Sequence, residues 1–230
     1  STSEMSFVAG NTLGKTDGIG SNALFNNPVW VTISKDQTYA LISEWEGSLI
    51  RKLIISTNAV TTVAGSVAGF ANGVGTNTAF YHTTSVDLSI DQTYALITDF
   101  TNNQIRKLIV STSEVTTIAG SAGSGTTNGI GTNAAFYYPT SLGFSPDGSY
   151  ILIGDYGNNQ IRKMIISTAT VSFFAGGGGS SNGIGSNANF DQLYGIKISP
   201  DGSYALAVDR NNNQIRQIII STQQVSLLAG

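Results

Sequence analysis

Residues 98–120 read TDFTNNQIRKLIVSTSEVTTIAG, and the fold follows from how this stretch recurs. Its centre, Ile105-Arg106-Lys107, returns as Ile50-Arg51-Lys52, Ile161-Arg162-Lys163 and Ile215-Arg216-Gln217, with arginines 55, 56 and 54 residues apart. Its end, Ala119-Gly120, returns as Ala9-Gly10, Ala64-Gly65, Ala175-Gly176 and Ala229-Gly230. A fixed period of about 55 residues marks one supersecondary unit that cannot bury its own apolar face and must stack on copies of itself. Four repeats fill the 230 residues, at approximately 11–65, 66–120, 121–176 and 177–230, as one domain over 1–230.

The third repeat shows what each unit is. Ser141-Leu142-Gly143-Phe144-Ser145 alternates as a half-buried strand does, and Pro146-Asp147-Gly148-Ser149 supplies a tight turn. Residues 150–154 form an apolar run short enough for a central strand, and Asp155-Tyr156-Gly157-Asn158-Asn159 turns again. Residues 160–167 and Val171-Ser172-Phe173-Phe174-Ala175 complete the unit. β-Branched and aromatic residues dominate and no helical period appears. The reading is all-β: a β-propeller of four-stranded antiparallel blades, four repeats long. A link joins successive blades, as in Asn128-Gly129-Ile130-Gly131 followed by Phe136, and its Ile or Val and its Phe are expected to pin it against the blade below.

The strand ending in Asp, the Asn-rich turn, Asn-Gln-Ile-Arg-Lys, the Val-Thr-Thr-Ile-Ala-Gly run and Asn-Gly-Ile-Gly-Thr-Asn-Ala-Ala-Phe at 128–136 together resemble NHL-repeat β-propellers over essentially the whole chain. The resemblance implies the propeller fold, with a ring of about six blades as the family's usual form. For activity it implies scaffolds, extracellular receptor modules, RNA binders and a few enzymes, so function must be read from the site.

Charged residues make up 11% of the chain and the net charge is −3, which disfavours nucleic-acid binding, an affinity that rests on clustered Lys and Arg. No apolar run approaches a membrane span, and no amino-terminal segment has signal-peptide form. Cysteine is absent, so there is no disulfide framework or thiolate metal site. No Asn-X-Ser/Thr acceptor occurs, whereas O-linked sugars on Ser or Thr remain open. A neutral surface of Ser, Thr, Asn, Gln and Gly points to an extracellular or cell-surface setting.

His82 is the only histidine, too few for a multi-histidine metal centre and best read as a loop residue. Glu44, Asp99, Asp155 and Asp209 recur in register, each seven residues before Arg51, Arg106, Arg162 or Arg216. Four carboxylates about an axis suit Ca²⁺, but a bond needed in every blade reads as structural pairing with these arginines. No catalytic residue, metal or cofactor is assigned. Function is sought where repeats differ. The turn after the second strand gives Trp45, Phe100, Tyr156 and Arg210, and the segment before the first strand gives Asn26-Asn27, Tyr81-His82, Tyr137-Tyr138 and Asp191-Gln192. On one face these aromatics suit protein or sugar contacts; alternatively Trp45, Phe100 and Tyr156 cap the channel.

Finally, Met5-Ser6-Phe7-Val8-Ala9-Gly10 repeats the fourth-strand pattern, although the last repeat keeps its own, 225–230. Five outer-strand segments therefore accompany four sets of the first three strands. Three arrangements follow: four blades close into a ring with one strand spare, the chain is part of a larger propeller, or the open edge pairs with another chain. In the last, Met5, Phe7, Val8, Val225 and Leu227 form an assembly edge for a protein partner or for self-association, including filaments. The function expected is a non-catalytic structural or protein-interaction propeller, with a carbohydrate-binding propeller as the alternative. No nucleic acid and no membrane insertion are expected.

Overall fold

Each repeat folds into a blade whose strands are short because a turn residue interrupts the chain every six or seven positions. The computed structural model describes residues 5–230. Blade 1 comprises β1 (Gly18–Ile19), β2 (Pro28–Ile33), β3 (Tyr39–Glu44), β4 (Leu49–Ile54) and β5 (Ala59–Ala64). Blade 2 comprises β6 (Gly73–Val74), β7 (Thr83–Leu88), β8 (Tyr94–Asp99), β9 (Gln104–Ile109) and β10 (Glu114–Ala119). Blade 3 comprises β11 (Gly129–Ile130), β12 (Pro139–Phe144), β13 (Tyr150–Asp155), β14 (Gln160–Ile165) and β15 (Thr170–Gly176). Blade 4 comprises β16 (Gly183–Ile184), β17 (Leu193–Ile198), β18 (Tyr204–Asp209), β19 (Gln214–Ile219) and β20 (Gln224–Ala229). The chain is a four-bladed β-propeller, and no α-helix occurs among the described residues.

Each blade has five strands rather than the expected four. The added strand is the Gly-Ile or Gly-Val pair of the link, which pairs antiparallel with the outer strand, as Gly18 does with Val60 and Gly129 with Val171. The link is thus the outer edge of the blade that follows it. Its aliphatic residue faces solvent, contrary to expectation: Ile19, Val74, Ile130 and Ile184 are all more than half exposed. Its phenylalanine does pin the loop, since Phe80, Phe136 and Phe190 are fully buried.

Blade stacking follows one rule. The leading face of a blade, such as Val86, Ile97 and Leu108 of blade 2, packs onto the trailing face of the blade before it, here Leu41, Ile50 and Ala64. The same pairing joins blade 3 to blade 2 and blade 4 to blade 3. Three apolar clusters therefore hold four blades. Val31 and Ile33, on the leading face of blade 1, are 58% and 59% exposed, whereas Val86 and Leu88, one repeat on, are 0% and 7%.

The expected extra outer segment also differs. Residues 1–4 of the 1–10 segment lie outside the described residues, and residues 5–10 form no strand. Met5 and Phe7 are exposed, and the segment lies beside Phe25. Val225, expected at an assembly edge, is instead fully buried in the apolar cluster between blades 3 and 4.

Candidate functional site

Beneath the channel mouth each blade carries one buried polar cluster. Arg106 donates from Nη1 to Asp99 Oδ2 at 2.6 Å and from Nη2 to Asn72 Oδ1 and the Ala71 carbonyl, each at 2.8 Å. Asp99 also accepts from the Tyr81 amide at 2.8 Å and from Asn102 Nδ2 at 2.9 Å. Arg162 with Asp155, Arg216 with Asp209 and Arg51 with Glu44 repeat this arrangement at 3.1, 2.9 and 2.6 Å. Both side chains of every pair are fully buried. A one-residue bulge in the outer strand separates Arg106 opposite Thr117 from Ile105 opposite Ala119. Such a bulge re-aims side chains locally.

The Asn-Asn of the repeat has two jobs. The first, as in Asn102 and Asn158, ties the acid to the link through the Gly69 or Gly125 carbonyl. The second reaches the next blade, with Asn103 Oδ1 accepting from the Tyr138 amide and Asn159 Oδ1 from the Gln192 amide, both at 2.8 Å. Burial holds Glu44 and Asp99 above the usual carboxylate range and pushes Asp155 up to about 6, while burial lowers Arg106. Each acid is enclosed with its own arginine. No group of three or more His, Cys, Asp or Glu converges as metal ligands among the described residues, so the four carboxylates do not form the Ca²⁺ ring considered from sequence.

Above this layer the repeats diverge, and the divergent residues meet. Trp45 stacks on His82 at 4.4 Å between ring centroids with the planes 3° apart, and its edge meets Phe100 at 4.9 Å. Phe100 stacks on Tyr138 at 4.5 Å and lies 6.1 Å from Tyr156. Tyr81 and Tyr137, partly exposed, flank His82 and Tyr138 at 4.6 and 4.4 Å. Arg210 lies over the Tyr194 ring and donates to Tyr156 Oη at 3.4 Å. Trp45, Phe100, Tyr156, Tyr194 and Arg210, with Asn27 and Val29, line a cavity of about 380 Å³ at the mouth. Residues from all four blades thus share one site.

His82 Nδ1 lies 3.0 Å from Thr101 Oγ1, and partial burial pulls its imidazole below the usual histidine value. It is therefore a neutral stacking partner at physiological pH.

Two features of the mouth escape a reading of the sequence. Asn27, His82, Tyr138 and Gln192 all adopt the left-handed conformation, with φ between 57° and 61°. The same conformation recurs at turns away from the mouth, as at Gln37, Gln92, Asn103 and Asn159, and Asn and His adopt it readily. The only hint is Asn27 itself. Tyr194 belongs to the mouth but sits in a strand, and aligning it with Val29, Thr84 and Thr140 of the other blades would have exposed it as the odd residue. Lower in the channel, Lys197 of blade 4 bonds to Asp87 of blade 2, which also accepts from Thr32 Oγ1 of blade 1 at 3.3 Å.

No family model matches the chain. It is 28% identical to NHL repeat-containing protein 2 of Bos taurus over 106 residues, covering 45% of this chain and 15% of that protein. To NHL repeat-containing protein 2 of Homo sapiens it is 24% identical over 178 residues, covering 71% of this chain and 24% of that protein. The chain thus spans a quarter or less of these curated relatives. Among solved structures it is similar to an auxiliary nutrient binding protein from Bacteroides ovatus, with a TM-score of 0.69 and 14% identity over 90% of this chain and 50% of that one. It is also similar to hydrazine synthase from Kuenenia stuttgartiensis, with a TM-score of 0.61 and 15% identity over 89% of this chain and 50% of that one. At such identity the structural likeness shows the fold alone. The sequence likeness and the four blades are consistent with an NHL-repeat propeller.

Proposed function

From an NHL-type propeller whose blades are alike below and unlike at the channel mouth, we propose a non-catalytic binding module that takes its ligand at that mouth. One observation carries the reading: four blades contribute Trp45, Phe100, Tyr156, Tyr194 and Arg210 to a single open cavity. Aromatic rings fixed by stacking lose little entropy on contact and present large apolar faces with polar rims. Arg210 supplies a cation beside them for an acidic group. Such a constellation suits a protein loop inserted from outside, and this is the leading reading. The neutral Ser-, Thr- and Asn-rich surface supports an extracellular or cell-surface setting for it.

A second reading, carbohydrate binding, is favoured by the exposed ring faces and by the polar tips of Tyr156 and Arg210, which match the two chemistries of a sugar ring. The likeness of fold to an auxiliary nutrient binding protein is in keeping with a ligand-holding propeller.

The test is parallel panning of the chain against a glycan array and a peptide-display library, with Trp45→Ala and Tyr156→Ala as controls. Binding that falls at least tenfold in both variants, at unchanged melting temperature, supports the mouth. Peptide binding with a silent array selects the protein-interaction reading, and glycan binding selects the other. Binding unaffected by either substitution overturns the site.

A further inference from the structure

The stacking rule that joins blades within the chain leaves one half-interface at each end of the series. On blade 1 the leading face, with Val31, Ile42 and Leu53, lines an apolar groove of about 620 Å³. Their counterparts Val86, Ile97 and Leu108 are fully buried under the trailing face of blade 1. On blade 4 the trailing face carries Leu206, Ile215 and Leu228. The counterparts Leu96, Leu152, Ile105 and Ile161 are fully buried, whereas Leu206 and Ile215 are half-buried and Leu228 is 53% exposed.

We propose that these flanks are the two halves of one head-to-tail interface between copies of this chain, blade 4 of one copy seating blade 1 of the next. Three buried examples of the contact exist within the molecule, made by the same positions of the same repeat. The polar register fits as well. In blades 3 and 4 an asparagine of the blade before accepts from the amide ahead of the first strand. The corresponding pair across the new interface is Asn213 Oδ1 and the Asn27 amide, both on exposed residues of the open flanks.

Residues 5–10 hold part of the seat. The Gly10 amide donates to the Gly20 carbonyl at 3.1 Å, as Gly65 does to Gly75 at 3.2 Å. A Cβ on Gly10 would sit 3.2 Å from the Phe25 ring, as one on Gly65 would sit 3.1 Å from Phe80. Phe7-Val8-Ala9-Gly10 thus stands where the end of a preceding blade's outer strand belongs, and Leu227-Leu228-Ala229-Gly230 of a partner copy requires the same place. Forming no strand among the described residues, the 5–10 segment is displaced on association. The result is a heterologous contact that forms a ring if its rotation closes and a filament if it does not.

This inference deepens the structural side of the proposed function but rests on the blade flanks alone, so loss of ligand binding at the mouth leaves it standing. Sedimentation velocity over a wide concentration range tests it, on the chain, on the chain lacking residues 1–10, and on Val31→Lys and Leu228→Lys, both at exposed positions. The chain is expected to grow in mass with concentration, and the truncated chain to associate at least fivefold more tightly. Each lysine variant alone is expected to associate at least tenfold more weakly. Mixing the two variants should restore one contact, giving a 1:1 pair and nothing larger, because each retains the flank the other lacks. Monomers throughout, or association untouched by both lysines, would overturn the interface. Equal affinity of the full and truncated chains would overturn the displacement of residues 5–10.

Discussion

At the scale of residues, the molecule repeats one costly device four times and varies it once. Burying an arginine and a carboxylate is favourable only when geometry and further hydrogen bonds compensate their desolvation. Here each guanidinium finds an acid, a link side chain and two link carbonyls, as Arg162 does with Asp155, Asn128, Ala135 and Thr127. Blade 1 replaces the Asp and first Asn with Glu44 and Gly47. A Cβ at Gly47 would lie 2.2 Å from Glu44 Oε2, so the longer acid takes the space of the missing amide side chain and demands glycine. Substituting Arg162→Met strands Asp155, and such losses cost about 3–5 kcal/mol. The size of the loss depends on pH. Asp155 already titrates at about 6 in the fold, raised from 3.8 by burial, so its protonated form favours folding below 3.8 and that advantage is lost as pH rises through 6. Removing Arg162 raises the carboxyl further. Urea unfolding should therefore show a smaller penalty for Arg162→Met at pH 5 than at pH 8, and equal penalties would mean that the carboxylate does not feel its arginine.

At the scale of elements, the turns between the first and second strands are closed by an aspartate. Asp147 accepts from the Ser149 amide and from the Ser145 and Ser149 hydroxyls, and these bonds hold it at about 2; Asp201 is held at about 2 by Ser199 and Ser203 in the same way. A carboxyl lowered by folding stabilises above its unfolded value of 3.8 and loses that contribution as pH falls through about 2. The melting temperature should thus fall between pH 4 and pH 2, and the double substitution Asp147→Asn with Asp201→Asn should flatten that fall while lowering stability at pH 7. An undiminished slope would place the acid sensitivity elsewhere. These turns were legible in the sequence because Pro146-Asp147-Gly148-Ser149 encodes its own geometry. So were the inner strands and the acid–arginine spacing, since a period repeated four times amplifies a weak local signal. The link's fifth strand was not legible. Two residues carry no alternation, and the apolar Ile130 suggests an inward position, although it faces solvent while Ala134, Ala135 and Phe136 of the same link are buried. The bulges were equally hidden, because they depend on which partner residue stands opposite. At the mouth, Trp45, Phe100 and Tyr156 stood out as departures from repetition, whereas Tyr194 was masked by its strand.

At the scale of the whole molecule, stability in a stacked repeat comes from each unit plus its neighbours, so the blades cannot be equally stable. Blades 2 and 3 are covered on both faces, and five of the six residues of β8 and of β13 are buried. Blades 1 and 4 are covered on one face, and β18 exposes Val208 while β20 exposes Leu227 and Leu228. Lys197 of blade 4 reaches across the channel to Asp87 of blade 2, but a single ion pair cannot replace an apolar interface between blades 4 and 1. Opening should therefore begin at the two ends and reach the middle last. Amide exchange at low concentration should be slowest in β8, β9, β13 and β14, and at least about tenfold faster in β2, β18 and β20. Raising the concentration should slow exchange selectively in β2–β4 and β18–β20 if copies associate through those flanks, while β8 and β13 stay as they were. Uniform exchange across all four blades would instead mean that the propeller opens as one cooperative unit, with its end faces as well protected as its interior.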